Sequence, residues 1–202
     1  MTLSSVGLIA LSYLIGAIPT SYLVGRVSRG IDLRQHGSGN LGATNAFRVL
    51  GWQVAIPVGM VDIAKGALPV IFLAPIVSPE PWAAFAVGGA AIVGHVYSVF
   101  MRFRGGKGVA TAAGVVLAIA PLALLVAFVA WVTILLLTGY VSLASMTAAV
   151  LFPILAWWIG TTNPHLIVVS IGMAGFVLWT HRANIGRLVA GNESRFGRRR
   201  SA

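Results

Sequence analysis

The sequence predicts an all-α integral membrane protein. It reads as a bundle of seven transmembrane helices, with five as the rival count, its N-terminus outside and its C-terminus in the cytoplasm. Three observations predict this class. Of 202 residues, 58% are hydrophobic and only 9% charged, whereas soluble domains run about 45–50% apolar and about 25% charged. The mean hydropathy is +0.92; because a spanning helix needs about 20 apolar residues, the chain has room for about five to seven spans and for no separate soluble domain. The net charge of +10 is gathered into three short stretches, as expected of cytoplasmic loops. The whole chain, 1–202, therefore reads as a single membrane-embedded domain, with a basic cytoplasmic tail within 181–202.

The elements follow in order. A first apolar segment, about 3–25, has no basic residue before it and no small-residue cleavage site, so it reads as a span rather than a removed signal. Residues 26–51 carry Arg26, Arg29, Arg34 and Arg48 against Asp32, a net +3. A second span, about 52–74, leads to a turn with Pro75, Pro79 and Pro81 that carries no basic residue, and a third, about 82–101, returns to Arg102, Arg104 and Lys107. Between Val109 and Thr180 an even number of spans must follow. Breaks at Pro121, at Thr138-Gly139-Tyr140 and from Gly160 to Pro164 divide this stretch into four segments, the first of them short. The tail holds Arg182, Arg187, Arg195, Arg198, Arg199 and Arg200 against Glu193, a net +5. Arg195 to Arg200 are expected to set topology and meet acidic lipid headgroups; nucleic acid is not an expected partner. The absence of cysteine excludes disulfides, thiolate metal sites and cysteine nucleophiles.

With the spans assigned, chemistry must lie in the cytoplasmic stretches. The first reads from His36 to Arg48. Gly37, Gly39 and Gly42 let the backbone approach a ligand closely, and Ser38, Asn40, Thr44 and Asn45 add neutral donors. Arg48 supplies a planar fork suited to phosphate. The pattern predicts an anion cradle, with Ser38 as a donor rather than a nucleophile, since no histidine-acid pair stands near it in sequence. The second stretch, Gly94 to Thr111, contains His95, Ser98 and the run Gly105-Gly106-Lys107-Gly108 before a helix, so backbone N–H groups and Lys107 can face an anion. It is not a Walker loop, because Gly108 follows the lysine. His95 precedes Arg102 by seven residues, about 10 Å along a helix. In the third stretch, His181, Asn184 and Arg187 fall on one side of a helical turn and could finish a polar pocket, with Glu193 following. Asp62 and Lys65 interrupt the second span three residues apart; an intramembrane pair of this kind is either structural or site support.

These stretches resemble the motifs of the bacterial acyl-phosphate-dependent glycerol-3-phosphate acyltransferases, the PlsY family. The resemblance covers Gly37 to Arg48, Gly94 to Thr111 and His181 to Glu193, with Asp62, Lys65 and Gly66 fitting the charged interruption. It implies seven spans, a site facing the cytoplasm of a bacterial cell membrane, and transfer of an acyl chain from acyl phosphate to the 1-hydroxyl of sn-glycerol 3-phosphate, giving lysophosphatidate and phosphate. It further implies that neither acyl-CoA nor acyl carrier protein is used, and that Ser38, Arg48, Lys107, His181 and Asn184 belong to the site. The remaining substrate-binding candidates are Gly37, Gly39, Asn40, Gly42, Thr44, Asn45, His95, Ser98, Gly105, Gly106 and Gly108, with Asp62, Lys65, Arg187 and Glu193 as site support. No cofactor or metal is expected; the expected partners are the two substrates, membrane lipids and an upstream enzyme that makes acyl phosphate.

The residue inventory suits that chemistry. Both substrates are phosphate anions, and a mixed anhydride departs as phosphate with little acid help, so the task is to hold two anions and stabilise a tetrahedral oxyanion. The base for the attacking hydroxyl could be His181, His95 or the phosphate of glycerol phosphate itself. The rival acyltransferase dyad His-x-x-x-x-Asp is absent, since Leu41, Phe100, Ser170 and Gly186 stand five after the four histidines. Two aspartates cannot build the metal cluster of an alcohol phosphatidyltransferase. The non-enzyme rival is an anion transporter, which would place polar groups near the midplane with access from both faces.

Overall fold

The computed structural model describes residues 2–158 and 164–196, and among them the chain is helical with no strand. Part of the expected break from Gly160 to Pro164 and the arginines at 198, 199 and 200 lie outside the described residues. Two compact units form, Met1–Ile119 and Ala120–Ala202.

The first unit holds α1 (Leu3–Ala17), α2 (Thr20–Arg29), α3 (Ala43–Leu50), α4 (Trp52–Phe72), α5 (Ala74–Val77), α6 (Pro81–Val96) and α7 (Val109–Ile119), with 3-10 turns at Leu33–Gln35 and Val99–Met101. The expected first span is broken. Pro19 has no N–H to continue the helix, so α1 ends at Ala17 and α2 restarts at Thr20. The carbonyls released at the break find side chains from other helices: Ser98 Oγ donates to Ala17 O at 2.6 Å and Lys65 Nζ to Ile18 O at 2.9 Å. An apolar surface gives no water to such groups, so these bonds are what permits a break there.

Small residues let the helices close up, as they do wherever helices pack in lipid. A Cβ at Gly16 would meet the Ala91 carbonyl and one at Gly94 the Tyr13 carbonyl, joining α1 to α6; Gly66 and Gly114 stand likewise against Thr111 O and Ile63 O between α4 and α7. Leu33, Leu41, Ala46, Leu50, Ala55 and Val58 form a buried core that seats the first polar loop on α3 and α4.

The second unit holds α8 (Pro121–Thr138), α9 (Val141–Trp158), α10 (Pro164–Thr180) and α11 (Arg182–Val189). Gly139, at φ 76°, ends α8 in the left-handed conformation. The axes of α10 and α11 bend by 60° at His181. Among the described residues, five helical stretches are long and apolar enough to cross a membrane: Leu3–Arg29, Trp52–Val77, Pro81–Met101, Pro121–Thr138 and Val141–Trp158; the bent α10–α11 pair, taken as one span, makes a sixth. The short first segment expected after Val109 is α7, whose 11 residues reach about 16 Å at helical rise, half of an apolar core about 30 Å thick. Large apolar side chains such as Leu136, Leu137 and Val168 stand exposed, a surface suited to lipid.

Candidate active site

In the first unit the loop from Asp32 to Gly42 is held from inside by Asn45. Its Nδ2 donates to Leu33 O at 3.1 Å and His36 O at 3.0 Å, and its Oδ1 accepts from Ser38 N at 2.8 Å. The side chain is 1% exposed, and its amide acts on the loop itself. Gly37 turns at φ 63° immediately above it, where a Cβ would collide with Asn45 Oδ1. Ser38 stands exposed at the tip, while Asn40, Gly42, Thr44 and Arg48 are half-buried along the loop and α3.

The foot of this loop is fixed by charge. Asp32 accepts from Arg34 Nη2 at 2.7 Å and Nε at 3.0 Å, and Arg26 Nη2 lies 3.8 Å away. The Arg34 guanidinium lowers the Asp32 carboxyl from its ordinary value to about 2, against the opposing effect of burial. Both arginines lie over the Tyr22 ring, 5.5 and 5.3 Å from its centroid. Asp32 entered the sequence reading only as a charge to be counted.

The glycine run of the second stretch does not stand off from α6; it folds back on its end. Phe103 N donates to Ser98 O, Gly105 N to Val96 O and Gly106 N to His95 O, at 2.8, 2.9 and 3.1 Å. His95 therefore lies against the loop: a Cβ on Gly106 would meet His95 Nε2 and Leu41 O, and one on Gly105 the His95 carbonyl. The turn is taken by Arg102 and Phe103 at φ 53° and 60°, a conformation costly for residues with a Cβ and concentrated at functional sites. The Gly105 and Gly106 amides are thus spent on α6, and Lys107 follows, half-buried at the approach to α7.

The two loops meet. Leu41, Lys65, His95, Ser98, Gly105 and Gly106 line one small cavity together with Ile18 and Thr20. Lys65, from the charged interruption of α4, forms its floor, with Nζ 2.8 Å from Asp62 Oδ1 and His95 Nδ1 3.8 Å from the same oxygen. Thr20 Oγ1 and His95 Nδ1 are buried without a hydrogen-bond partner among the described residues. Asp62 and Lys65 are thus paired, as their spacing predicts, and Lys65 also ties the α1–α2 break to this floor.

In the second unit His181 stands at the bend. Its Nδ1 lies 2.8 Å from Val177 O; a carbonyl only accepts, so Nδ1 carries a proton. Its carbonyl accepts from Asn184 N at 2.7 Å, starting α11. Asn184 Nδ2 donates to Glu193 Oε1 at 2.7 Å and Arg187 Nε to Oε2 at 2.7 Å, so the expected one-sided alignment of Asn184 and Arg187 is met at Glu193. Ser142 Oγ, from α9, adds a third bond to Oε1 at 2.8 Å. Burial raises the carboxyl, but Arg187, Asn184 and Ser142 outweigh it and hold Glu193 below its ordinary range. Ser142 escaped the sequence reading because it lies 51 residues from its partner in an apolar segment.

Known proteins agree over the whole length. A family model described as "Glycerol-3-phosphate acyltransferase" matches residues 6–191. A relative of that name from Chlorobaculum parvum is 39% identical, covering 98% of this chain and 99% of its own. Another, from Chlorobium phaeobacteroides strain BS1, is 40% identical over 93% and 94%. Two crystal structures of PlsY, described as an integral membrane glycerol 3-phosphate acyltransferase, superpose with TM-scores of 0.90 and 0.88 at 38% and 37% identity, each over 96% of both chains; one is the glycerol 3-phosphate form and the other the lysophosphatidic acid form. On this family match and these relatives, the chain belongs to the PlsY family of glycerol-3-phosphate acyltransferases, multi-pass membrane enzymes.

Proposed function

We propose that this chain transfers an acyl group from acyl phosphate to the 1-hydroxyl of sn-glycerol 3-phosphate, releasing lysophosphatidate and phosphate. The observation that carries the reading is the full-length likeness to a structure holding glycerol 3-phosphate and to one holding lysophosphatidic acid, the acceptor and product of this reaction. The hydroxyl oxygen attacks the carbonyl carbon of the mixed anhydride; the new ester bond forms, the bond from that carbon to the phosphate oxygen breaks, and phosphate leaves with the electron pair. Ser38, Arg48 and Lys107 bind the phosphate groups and the developing oxyanion, on a cradle shaped by Gly37, Gly39, Asn40, Gly42, Thr44 and Asn45 and by the loop from Gly105 to Gly108. Fixed donors of this kind each contribute on the order of 10²–10³ in rate. His181 and Asn184 act on the attacking hydroxyl; the proton passes to His181 or to the substrate's own phosphate. His95, Ser98, Asp62 and Lys65 support the cradle, as Arg187 and Glu193 support Asn184.

The chain acts as one membrane-embedded enzyme of seven apolar segments in a bacterial cell membrane. Its three basic stretches face the cytoplasm, in keeping with the positive-inside rule, and its donor comes from an enzyme that makes acyl phosphate. The test uses purified protein in lipid nanodiscs with radiolabelled glycerol 3-phosphate and acyl phosphate, acyl-CoA or acyl carrier protein as donor. Labelled lysophosphatidate from acyl phosphate alone supports the reading, and labelling only from the other donors overturns the donor assignment. Acyl phosphate without acceptor should leave the intact protein mass unchanged, since direct attack forms no adduct on Ser38.

A further inference from the structure

The chain after α11 does not leave the second unit. Phe196 N donates to Gly139 O at 2.7 Å, Arg195 lies over the Tyr140 ring at 5.2 Å from its centroid, and Arg195 Nε donates to Tyr140 Oη at 3.3 Å. Two residues further on, Ser142 Oγ reaches Glu193. The turn between α8 and α9, with the start of α9, therefore receives the segment from Glu193 to Phe196 at four points within four residues. Gly139 belongs to this seat: its carbonyl takes the Phe196 amide, and a Cβ built there would press on Arg195 at 3.4 Å.

What the seated segment presents is the Glu193 carboxylate. A carboxylate accepts and cannot donate, so it dictates which way the Asn184 amide faces: Nδ2 toward Glu193, Oδ1 on the opposite edge. Without Ser142, Oε1 loses the hydrogen bond that ties it to α9 and keeps its bond from Asn184. We propose that Tyr140, on the α8–α9 turn, and Ser142, at the start of α9, are positioning residues for the acyl transfer: they seat the C-terminal segment so that Glu193 holds the Asn184 amide in its working orientation. Tyr140 acts through its ring, since the cation–π contact is closer to ideal than its 3.3 Å hydroxyl bond. The inference rests on the placing of Asn184 in the site.

The test is a double-mutant cycle on the full chain in lipid nanodiscs. Ser142→Ala should lower kcat/KM about tenfold, the loss expected for one hydrogen bond to a charged group, and Ser142→Thr, which keeps the hydroxyl, should restore most of it. Tyr140→Leu should follow Ser142→Ala, while Tyr140→Phe stays near wild type. In an Asn184→Ala background Ser142→Ala should have no further effect, because the group it positions is gone. A tenfold loss persisting in that background would mean a general structural role and overturn the proposal. Wild-type activity of Ser142→Ala beside a crippled Asn184→Ala would overturn the positioning role alone. Wild-type activity of Asn184→Ala would overturn the placing of Asn184 itself, and the proposal with it.

Discussion

Asn45 offers the sharpest test of how the first loop is held. Replacing it with alanine removes three hydrogen bonds at once, those to Leu33 O, His36 O and Ser38 N, at a side chain that is 1% exposed. At about 1 kcal/mol net for each bond the loss is about 3 kcal/mol. For a chain of this size that corresponds to a fall of about 6–12 °C in Tm. Activity should fall further than stability, because Ser38 hangs from this amide and a displacement of about 1 Å can cost about 10²-fold in rate. Asn45→Asp sharpens the argument. It keeps the acceptor for Ser38 N but turns a buried carboxylate toward two carbonyl oxygens, so it should be at least as damaging as alanine despite its equal size. Thermal unfolding in nanodiscs and kcat/KM for both variants measure this. If Asn45→Asp unfolds within about 2 °C of wild type and keeps its activity, the strut is not what shapes the loop.

Other outcomes follow from the same contacts. Arg48→Lys should lose most activity although the charge is kept, and Arg48→Ala about 10²–10³ in kcat/KM, because a point charge cannot replace a planar fork on phosphate; near-wild-type turnover at saturating substrates would remove Arg48 from the site. Single cysteines at Arg104 and Ser194 should resist a membrane-impermeant thiol reagent in intact cells while one at Ser78 reacts, and labelling of Arg104 and Ser78 from one side would contradict the topology. Glu193 is held below its ordinary value near 4.5, so its contribution to stability is complete above that pH and is lost as the pH falls below it. Arg187→Gln should therefore move the acid limb of a Tm against pH profile upward, and an unmoved limb would argue that Arg187 does not act on this carboxylate.

The membrane class and the polar stretches were legible because they depend on composition and on neighbours in sequence. α4, α6, α8 and α9 follow apolar runs, and the Asp62–Lys65 pair sits at a spacing any helix would close. Pro19 was a readable signal for the break in the first span, yet hydropathy averaged over the segment hid it. The rest is tertiary. His95 was placed about 10 Å up a helix from the basic loop, but α6 ends at Val96 and the glycines turn back to sit on it. Gly105 and Gly106 looked like phosphate donors, and their amides are instead bonded to α6, the missing Cβ atoms serving close approach. Asn45 looked like one more donor in a polar string; its partners at Leu33 and His36 give it an internal task that spacing does not reveal. Ser142 and Tyr140 lie in a stretch whose only signal was a helix break.

The central claim is that the acyl carbonyl carbon, and not phosphorus, is attacked by glycerol 3-phosphate. Acyl phosphate carrying oxygen-18 in the bridge between carbonyl carbon and phosphorus tests it in one measurement, by mass spectrometry of the products. The account predicts unlabelled lysophosphatidate and the whole label in released inorganic phosphate. Label appearing in free fatty acid together with a doubly phosphorylated glycerol, or phosphate release without lysophosphatidate, would contradict it.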